Sequence, residues 1–258
     1  MASEINKRVV VMTAGGPNPA IVINALHARY PDLHVIEESP ESKAEIWRRR
    51  ARRLGVLQAT GQLATMIAAR LLRKAAQKRI DEICRTFRVD PNPNPRIPVH
   101  KVASINGADT LQRIADLKPA VTLLVSTRLL SRKALAAIPC SVLNLHAGIN
   151  PAYRGQMGGY WSLVEGDREN FGATVHLVDA GTDTGGTLYE VRTTPAQGDF
   201  ISTYPMLLTA AALDIVSRAV GDALDGSLAP IMPAGPSHLR FPPALWTWIS
   251  VGLTRRIW

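Results

Sequence analysis

KRVVVMTAGGPNPAIVINALHARYPDLHVIEE, residues 7–38, is the stretch that decides the fold class. Its opening, KRVVVMTA (7–14), is a short apolar run that stops at Gly15 and Gly16, the composition of a buried strand entering a glycine turn. From Asn18 to Tyr30 the apolar residues Ile21, Val22, Ile23, Ala25 and Leu26 fall at helical spacing. LHVIEE (33–38) is strand-like again. Strand, turn, helix and strand in that order predict a parallel pair, because parallel strands need a helical crossover.

The same alternation returns later in the chain. HKVAS (100–104) reads as a weak strand, and Asp109–Asp116 as a short helix with an Asp cap. AVTLLVS (120–126) is the strongest strand, followed by a helix over Ser131–Ala137 and a strand at SVLNLH (141–146). A helix over 157–166, strands at ATVHLVD (173–179) and GTLYEVRT (186–193), and a closing helix over Thr203–Leu224 complete the series, with no internal repeat. Between the two blocks, Glu41–Phe87 is rich in Ala, Leu, Arg, Gln and Lys, with Gly55 and Gly61 as expected interruptions. DPNPNPRIP (90–98) returns from it as neither helix nor central strand, since its prolines lack donors and push their predecessors to extended states. The expectation is an α/β, Rossmann-like, mostly parallel twisted sheet with flanking helices, plus a basic helical insertion over 41–98. The catalytic domain is placed at 1–226 and a C-terminal tail at 227–258.

A chain of 258 residues with 46% hydrophobic and 20% charged residues can bury a core without staples and is not a disordered polymer. No apolar run approaches the roughly 18 residues of a spanning helix, and MASEINKRVVVM shows no secretory pattern. Cys84 and Cys140 form neither a metal spacing nor a disulfide framework, so a reducing cytoplasm is expected. The formal charge of +9 is concentrated: Lys43–Arg88 holds 13 Lys/Arg against 3 Asp/Glu, and the rest of the chain holds 17 against 18. Such a segment is a solvated helical face or a surface for an anionic partner, whether nucleic acid, phosphorylated substrate, acidic protein or membrane.

Ligands of open α/β sheets bind beyond the carboxyl ends of the strands. There, the period of two puts Asn144 and His146 on one face, with Leu145 opposite, and DAGTDTGG brings Asp179 and Asp183 into a glycine-rich loop. Asn, His and Asp together can donate to a developing oxyanion and shuttle a proton, although a lone His at a strand end is more often structural.

NLHAGINPAYRG (144–155) followed by GATVHLVDAGTDTGGTLYE (172–190) resembles the signature of formyltransferases that use 10-formyltetrahydrofolate. The resemblance is dense over 119–194, faint over 7–38, and absent from 41–98 and from the chain after about 226. It implies a catalytic trio of Asn144, His146 and Asp183, with no metal. It further implies a folate pocket from Arg128, Leu129 and Leu130 together with Asp179, Ala180, Gly181 and Thr182; plain core is the other reading of the two leucines. Tyr153, Arg154 and Gly155 match a loop that shapes the mouth of the cleft, and His176, which also fits the pattern, is expected merely to pack. Gly15, Gly16 and Asn18 sit where some members of the family hold a substrate phosphate, although Pro17 removes one donor. The implied reaction has Asn144 and a protonated His146 stabilising negative oxygen, with Asp183 favouring the charged imidazole and helping to remove the amine proton.

The implied partner is a small-molecule amine, phosphorylated, nucleotide-linked or otherwise specialised. Transfer to tRNA is argued against by the lack of a strand series after the closing helix. A hydrolase releasing formate from the same donor and a non-catalytic binding protein are the alternative functional classes. Three of the five tryptophans, Trp246, Trp248 and Trp258, fall in the last 13 residues. With the basic segment they suggest one shared surface for an anionic membrane or an acidic protein. The competing expectation is that they fold back on the insertion, or bury the interface of a homo-oligomer.

Overall fold

The computed structural model describes residues 7–258; the start of the stretch read for a secretory pattern lies outside them. The alternation produces, in chain order, β1 (Val9–Thr13), α1 (Pro17–Arg29), β2 (Leu33–Glu38), α2 (Lys43–Leu54), α3 (Val56–Leu71), α4 (Arg73–Phe87), β3 (Val99–Val102), α5 (Ala108–Leu117), β4 (Val121–Val125), α6 (Arg132–Ala137), β5 (Ser141–His146), β6 (Arg154–Gly155), α7 (Gly158–Val164), β7 (Gly172–Leu177), β8 (Thr187–Arg192), α8 (Tyr204–Ala211), α9 (Leu213–Asp225), β9 (Leu239–Arg240) and α10 (Leu245–Arg255).

Seven strands form one sheet in the order β3-β2-β1-β4-β5-β7-β8. The first five are parallel; β7 runs antiparallel to β5, and β8 antiparallel to β7. The chain runs outward from β1 through β2 to β3, then returns to β1's other side to lay down β4 and β5. The ends of β1 and β4 therefore flank a topological switch point, where an α/β sheet opens a crevice. The period of two divides the strand side chains between two cores. Val9, Val11, Leu123, Leu143 and Val175 pack with Ile21, Met206 and Val216 on one face. Val10, Met12, Ile36, Leu124 and Val142 pack with Ile114 and Leu117 on the other. Burial on both faces explains why β1 and β4 are mostly apolar without a polar alternation, Thr13 and Thr122 being buried as well.

Four sequence expectations change. Asp109 is not the cap of its helix; Gly107 is, and Asp109 lies in the first turn. The closing helix is two helices meeting at Ala212. Gly55 does separate α2 from α3, but Gly61 lies within α3 without interrupting it. A Cβ at Gly61 would meet the Trp246 ring at 2.4 Å, so this glycine serves close packing of α10 rather than a break. The 41–98 segment is also not one unit. It forms the crossover from β2 to β3, and its last helix, α4, belongs to the main body through Ile83 and Cys84.

The tail is integral too. β9 pairs with β6, Ile231 bridges Thr187, the Ile201 N–H donates to the Trp258 carbonyl at 2.7 Å, and Trp248 and Ile257 are buried.

One ion pair ties α4 to the segment before α8. Arg79 reaches both carboxylate oxygens of Asp199, at 2.8 and 2.9 Å, and the Asp199 side chain is wholly buried. Removing one partner of such a pair strands the other charge. Arg79→Met is expected to lower stability by about 3 kcal/mol, read as a shift in the urea unfolding midpoint; a midpoint within error of the parent would show that water solvates Asp199 instead.

Candidate active site

β5 delivers Asn144 and His146 to the carboxyl edge of the sheet, as its alternation predicts. Its antiparallel neighbour β7 sets His176 directly opposite Asn144 in register. The loop after β7 turns back so that Asp183, in left-handed backbone at φ 51°, meets all three. The Asn144 amide nitrogen lies 3.0 Å from His176 Nε2 and 3.2 Å from Asp183 Oδ1. His176 Nε2 is 3.3 Å from that same Asp183 oxygen, and His146 Nδ1 is 3.6 Å from Oδ2. The Gly155 N–H donates to Oδ2 at 2.8 Å.

Tautomers follow from the carbonyls. His146 Nε2 lies 2.7 Å from the Tyr153 carbonyl and so carries a hydrogen, leaving Nδ1 as the nitrogen that faces Asp183. His176 Nδ1 likewise donates to the Leu177 carbonyl at 2.7 Å, leaving Nε2 to accept from Asn144 when the ring is neutral and to donate to Asp183 when it is protonated. His176 is therefore more than packing: it positions the amide and the carboxylate. Burial alone would raise the Asp183 pKa, but the charge of His146, the hydrogen bonds from His176 and Gly155 and the charge of His176 together pull it down to about 2. The trio holds a fixed negative charge beside an imidazole nitrogen that can gain or lose a proton.

These residues lie in a cleft of about 940 Å³. Arg128, Leu129, Leu130, Asp179, Gly181 and Thr182 line it; Ala180, in the same loop, does not. Leu129 is 61% exposed, so the core reading fails for it, whereas Leu130 packs against the second core. Arg128 is not a free cation. Its Nε meets Glu38 at 2.5 Å, and Glu38 also accepts from the Arg128 N–H, the Thr127 hydroxyl and the Ile105 N–H. Glu38, only 2% exposed, is thus the hub that holds the loop after β4. A glutamate two residues after Ile36, and so on the same face of the strand as that buried side chain, is the sequence signal for it.

Tyr153 corrects its expectation. Its ring is buried and its hydroxyl donates to Asp167 at 2.8 Å, so the side chain points away from the cleft and only its carbonyl serves the site, through His146. Burial, then Asp167, raises the phenol pKa and keeps it a donor. Arg154 is not a lining residue either; it donates to the Thr182 carbonyl at 2.9 Å and clamps the 179–183 loop, while Gly155 does line the cleft. At the glycine turn, Ala14 and Asn18 line the cleft but Gly15 and Gly16 do not. The turn is a poor phosphate cradle: Pro17 and Pro19 have no N–H, the Gly15 N–H is taken by Thr13 Oγ1, and the Ala20 N–H by the Gly16 carbonyl.

The remaining lining comes from the segment outside the sequence resemblance. Lys43, Ile46, Arg49 and Arg53 of α2 and Met66 of α3 enter the cleft, as do Arg240 and Phe241 of the tail. Arg49 is paired with Glu41 and Arg240 with Glu165. Lys43 and Arg53 have no carboxylate partner among the described residues; Arg53 instead stacks 4.9 Å above the Phe241 ring.

A switch-point cleft over an Asn–His–Asp constellation is an arrangement that can stabilise developing charge and handle a proton at one reacting centre. Residues 7–206 match the family described as formyl transferase, and the chain belongs to that enzyme family. Among sequence relatives, the methionyl-tRNA formyltransferase of Trichlorobacter lovleyi is 35% identical over 104 residues; the match covers 40% of this chain and 32% of that protein. Among solved structures, glycinamide ribonucleotide transformylase 1 from Symbiobacterium toebii superposes with a TM-score of 0.57 at 18% identity, covering 89% of this chain and 94% of the other. A sugar N-formyltransferase from Shewanella sp FDAARGOS_354 gives 0.57 at 11% identity, covering 90% and 76%. At these identities the structural likeness establishes the fold. Among the described residues, no helix is long and apolar enough to cross a membrane.

Proposed function

We propose that the protein transfers the formyl group of 10-formyltetrahydrofolate to the amine of a small anionic molecule. The observation that carries this reading is that one cleft is lined by Asn144, His146 and Asp183 together with an apolar set and a cationic set of side chains. Val125, Leu129, Leu130 and Val178 offer apolar surface suited to a planar heterocycle, between two loops rich in backbone polar groups. Arg128 and Glu38 would hold the shape of that slot. Lys43 and Arg53, cationic and without carboxylate partners, would receive the anionic part of the amine substrate.

When bound, the donor supplies an activated formyl carbon. His146, with Nε2 committed to the Tyr153 carbonyl, can present a proton on Nδ1 to the oxygen on which negative charge grows. Asp183 balances the imidazolium that this requires. Asn144 joins as a second donor by turning one amide hydrogen from His176 or Asp183 to the cleft. A carboxylate held at about pKa 2 is a weak resting base, so Asp183 acts chiefly through its charge, and a proton leaving the amine travels by water or the imidazole.

The test is turnover of 10-formyltetrahydrofolate by the purified protein, alone and with phosphorylated and unphosphorylated amines. Amine-dependent turnover favouring the anionic amines supports the reading; formate release that ignores every amine would mark a hydrolase instead. In the same assay Lys43→Ala and Arg53→Ala are each expected to raise KM for the amine about tenfold with little change in kcat, as loss of one charge-assisted contact would. An unchanged KM in both variants would remove the basic wall from the substrate site.

A further inference from the structure

Exposed large apolar side chains are not scattered over this protein. Most of the strongly exposed ones lie on α3, on the turn that follows it, and on the tail. On α3, Val56 (62% exposed), Leu57 (74%), Ile67 (45%) and Leu71 (79%) share one helical face with Thr60 and Ala64. The polar residues Gln62 and Thr65 are buried on the opposite side, at 1% and 2% exposure. This is the reverse of a solvated surface helix, whose polar face points outward. On α10, Trp246 (47%), Ile249 (43%) and Leu253 (71%) repeat at helical spacing, and Trp258 (41%) follows.

The two stripes adjoin. The Trp246 ring lies against Gly61 of α3, and the Thr65 hydroxyl donates to the Pro243 carbonyl at 2.9 Å, where the tail approaches α10. Exposed cations are carried by the same helices and their neighbours: Arg48 and Arg52 on α2, which packs against α3, Arg70 on α3, Lys74 on α4, the next helix in the chain, and Arg256 at the end of α10. None of these five forms a salt bridge among the described residues. Glu45 is the one carboxylate on α2, α3 and α10, and it is tied to Ser42 in a capping box.

We infer that the combined α3–α10 face docks on an anionic membrane surface, lying in the interface rather than spanning it. Charge selects the occupant. Two copies meeting through this face would set rims of unpaired cations against each other, whereas acidic headgroups neutralise them. The exposed stripe on α3 carries only one polar side chain, Thr60, so it offers a protein partner almost nothing to hydrogen-bond. Acyl chains need no such groups. Tryptophan with its amphipathic ring, and arginines reaching to headgroup level over an apolar stripe, are the composition of an interfacial anchor. α3 also lines the cleft through Met66, and its neighbour α2 through Arg49 and Arg53, so α3 is common to the docked face and the cleft.

The test is co-sedimentation of the full chain with vesicles of phosphatidylcholine alone and of phosphatidylcholine mixed with phosphatidylglycerol. Binding to the mixed vesicles at low salt is expected to exceed binding to the neutral ones by at least about tenfold. The double variant L57E/L253E, at two exposed sites outside the cleft, is expected to lower that binding at least about tenfold while keeping the parent's thermal unfolding midpoint. R48E/R52E should do the same through charge. No association with the anionic vesicles at low salt overturns the inference. So does association that L57E/L253E leaves intact, because the basic segment would then act without the apolar face. A parent that sediments as a dimer, dissociated by L57E/L253E, overturns it in favour of a second copy of this chain.

Discussion

Asp183→Asn is expected to leave the fold intact and lower formyl transfer by about three powers of ten, the scale of losing a charge that balances an imidazolium in the transition state. The substitution keeps the shape of the side chain and removes only its charge. That charge faces His146 Nδ1 at 3.6 Å and His176 at 3.3 Å, and the Gly155 N–H donates to it at 2.8 Å. The loss should fall on kcat, with donor affinity within about threefold of the parent, because Asp183 acts on developing charge. The carboxylate also contributes to stability. Its folded pKa, about 2, lies below its ordinary value of 3.8, so its contribution is fully present above pH 3.8 and is lost as pH falls through about 2. The gap corresponds to about 2 kcal/mol, partly offset in the variant because a neutral amide costs less to bury. Acid titration of both proteins by circular dichroism checks the sign: the parent's stability should fall more steeply over this window than the variant's. Near-parental kcat in Asp183→Asn would remove the carboxylate from the chemistry.

Gly148→Ala is expected to cost about a hundredfold in kcat without touching any cleft side chain directly other than the His146 ring. A Cβ at this position would lie 2.6 Å from His146 Nε2 and 2.6 Å from the Tyr153 carbonyl oxygen, the two ends of the hydrogen bond that sets the imidazole. It would also lie 3.1 Å from the Gly158 Cα. Two of these neighbours are backbone and the third is a ring held on two sides, so the strain is relieved by displacing His146. A shift of about 1 Å in a catalytic group is enough for a loss of this order, and overpacking of this kind costs about 1–3 kcal/mol of stability. Steady-state kinetics with folding checked by circular dichroism would decide it; kcat within twofold of the parent would show that the Tyr153 carbonyl does not orient the imidazole.

Much of the trio is legible in the sequence. Asn144 and His146 are two apart on a strand, and the period of a strand places them on one face whatever the rest of the chain does. Asp183 is legible as part of a longer pattern, though its left-handed backbone and its reach to both histidines are not. The part played by His176 escapes a sequence reading because it depends on the register between β5 and β7, an antiparallel pairing that no local pattern in either strand specifies. Tyr153 misleads in the opposite direction for a related reason: a motif records that a residue is present, not whether its ring or its carbonyl faces the site.

Sequence alone determined the α/β class, the chain order of the seven strands of the main sheet, the charge asymmetry and the residues at the strand ends, because each follows from local periodicity, composition or a dense motif. Only the tertiary structure decided how the 41–98 segment divides, with α4 anchored in the main body by Arg79 and Asp199, and α2 and α3 contributing a basic wall and an exposed apolar face. It also decided that the tail is no appendage: β9 pairs with the two-residue β6, whose Gly155 N–H holds Asp183. Those relations join positions dozens to more than a hundred residues apart. They arise because the two faces of the sheet and the flanks of α3 leave apolar surface that distant segments of the same chain can cover, a long-range packing outcome to which local propensity is blind.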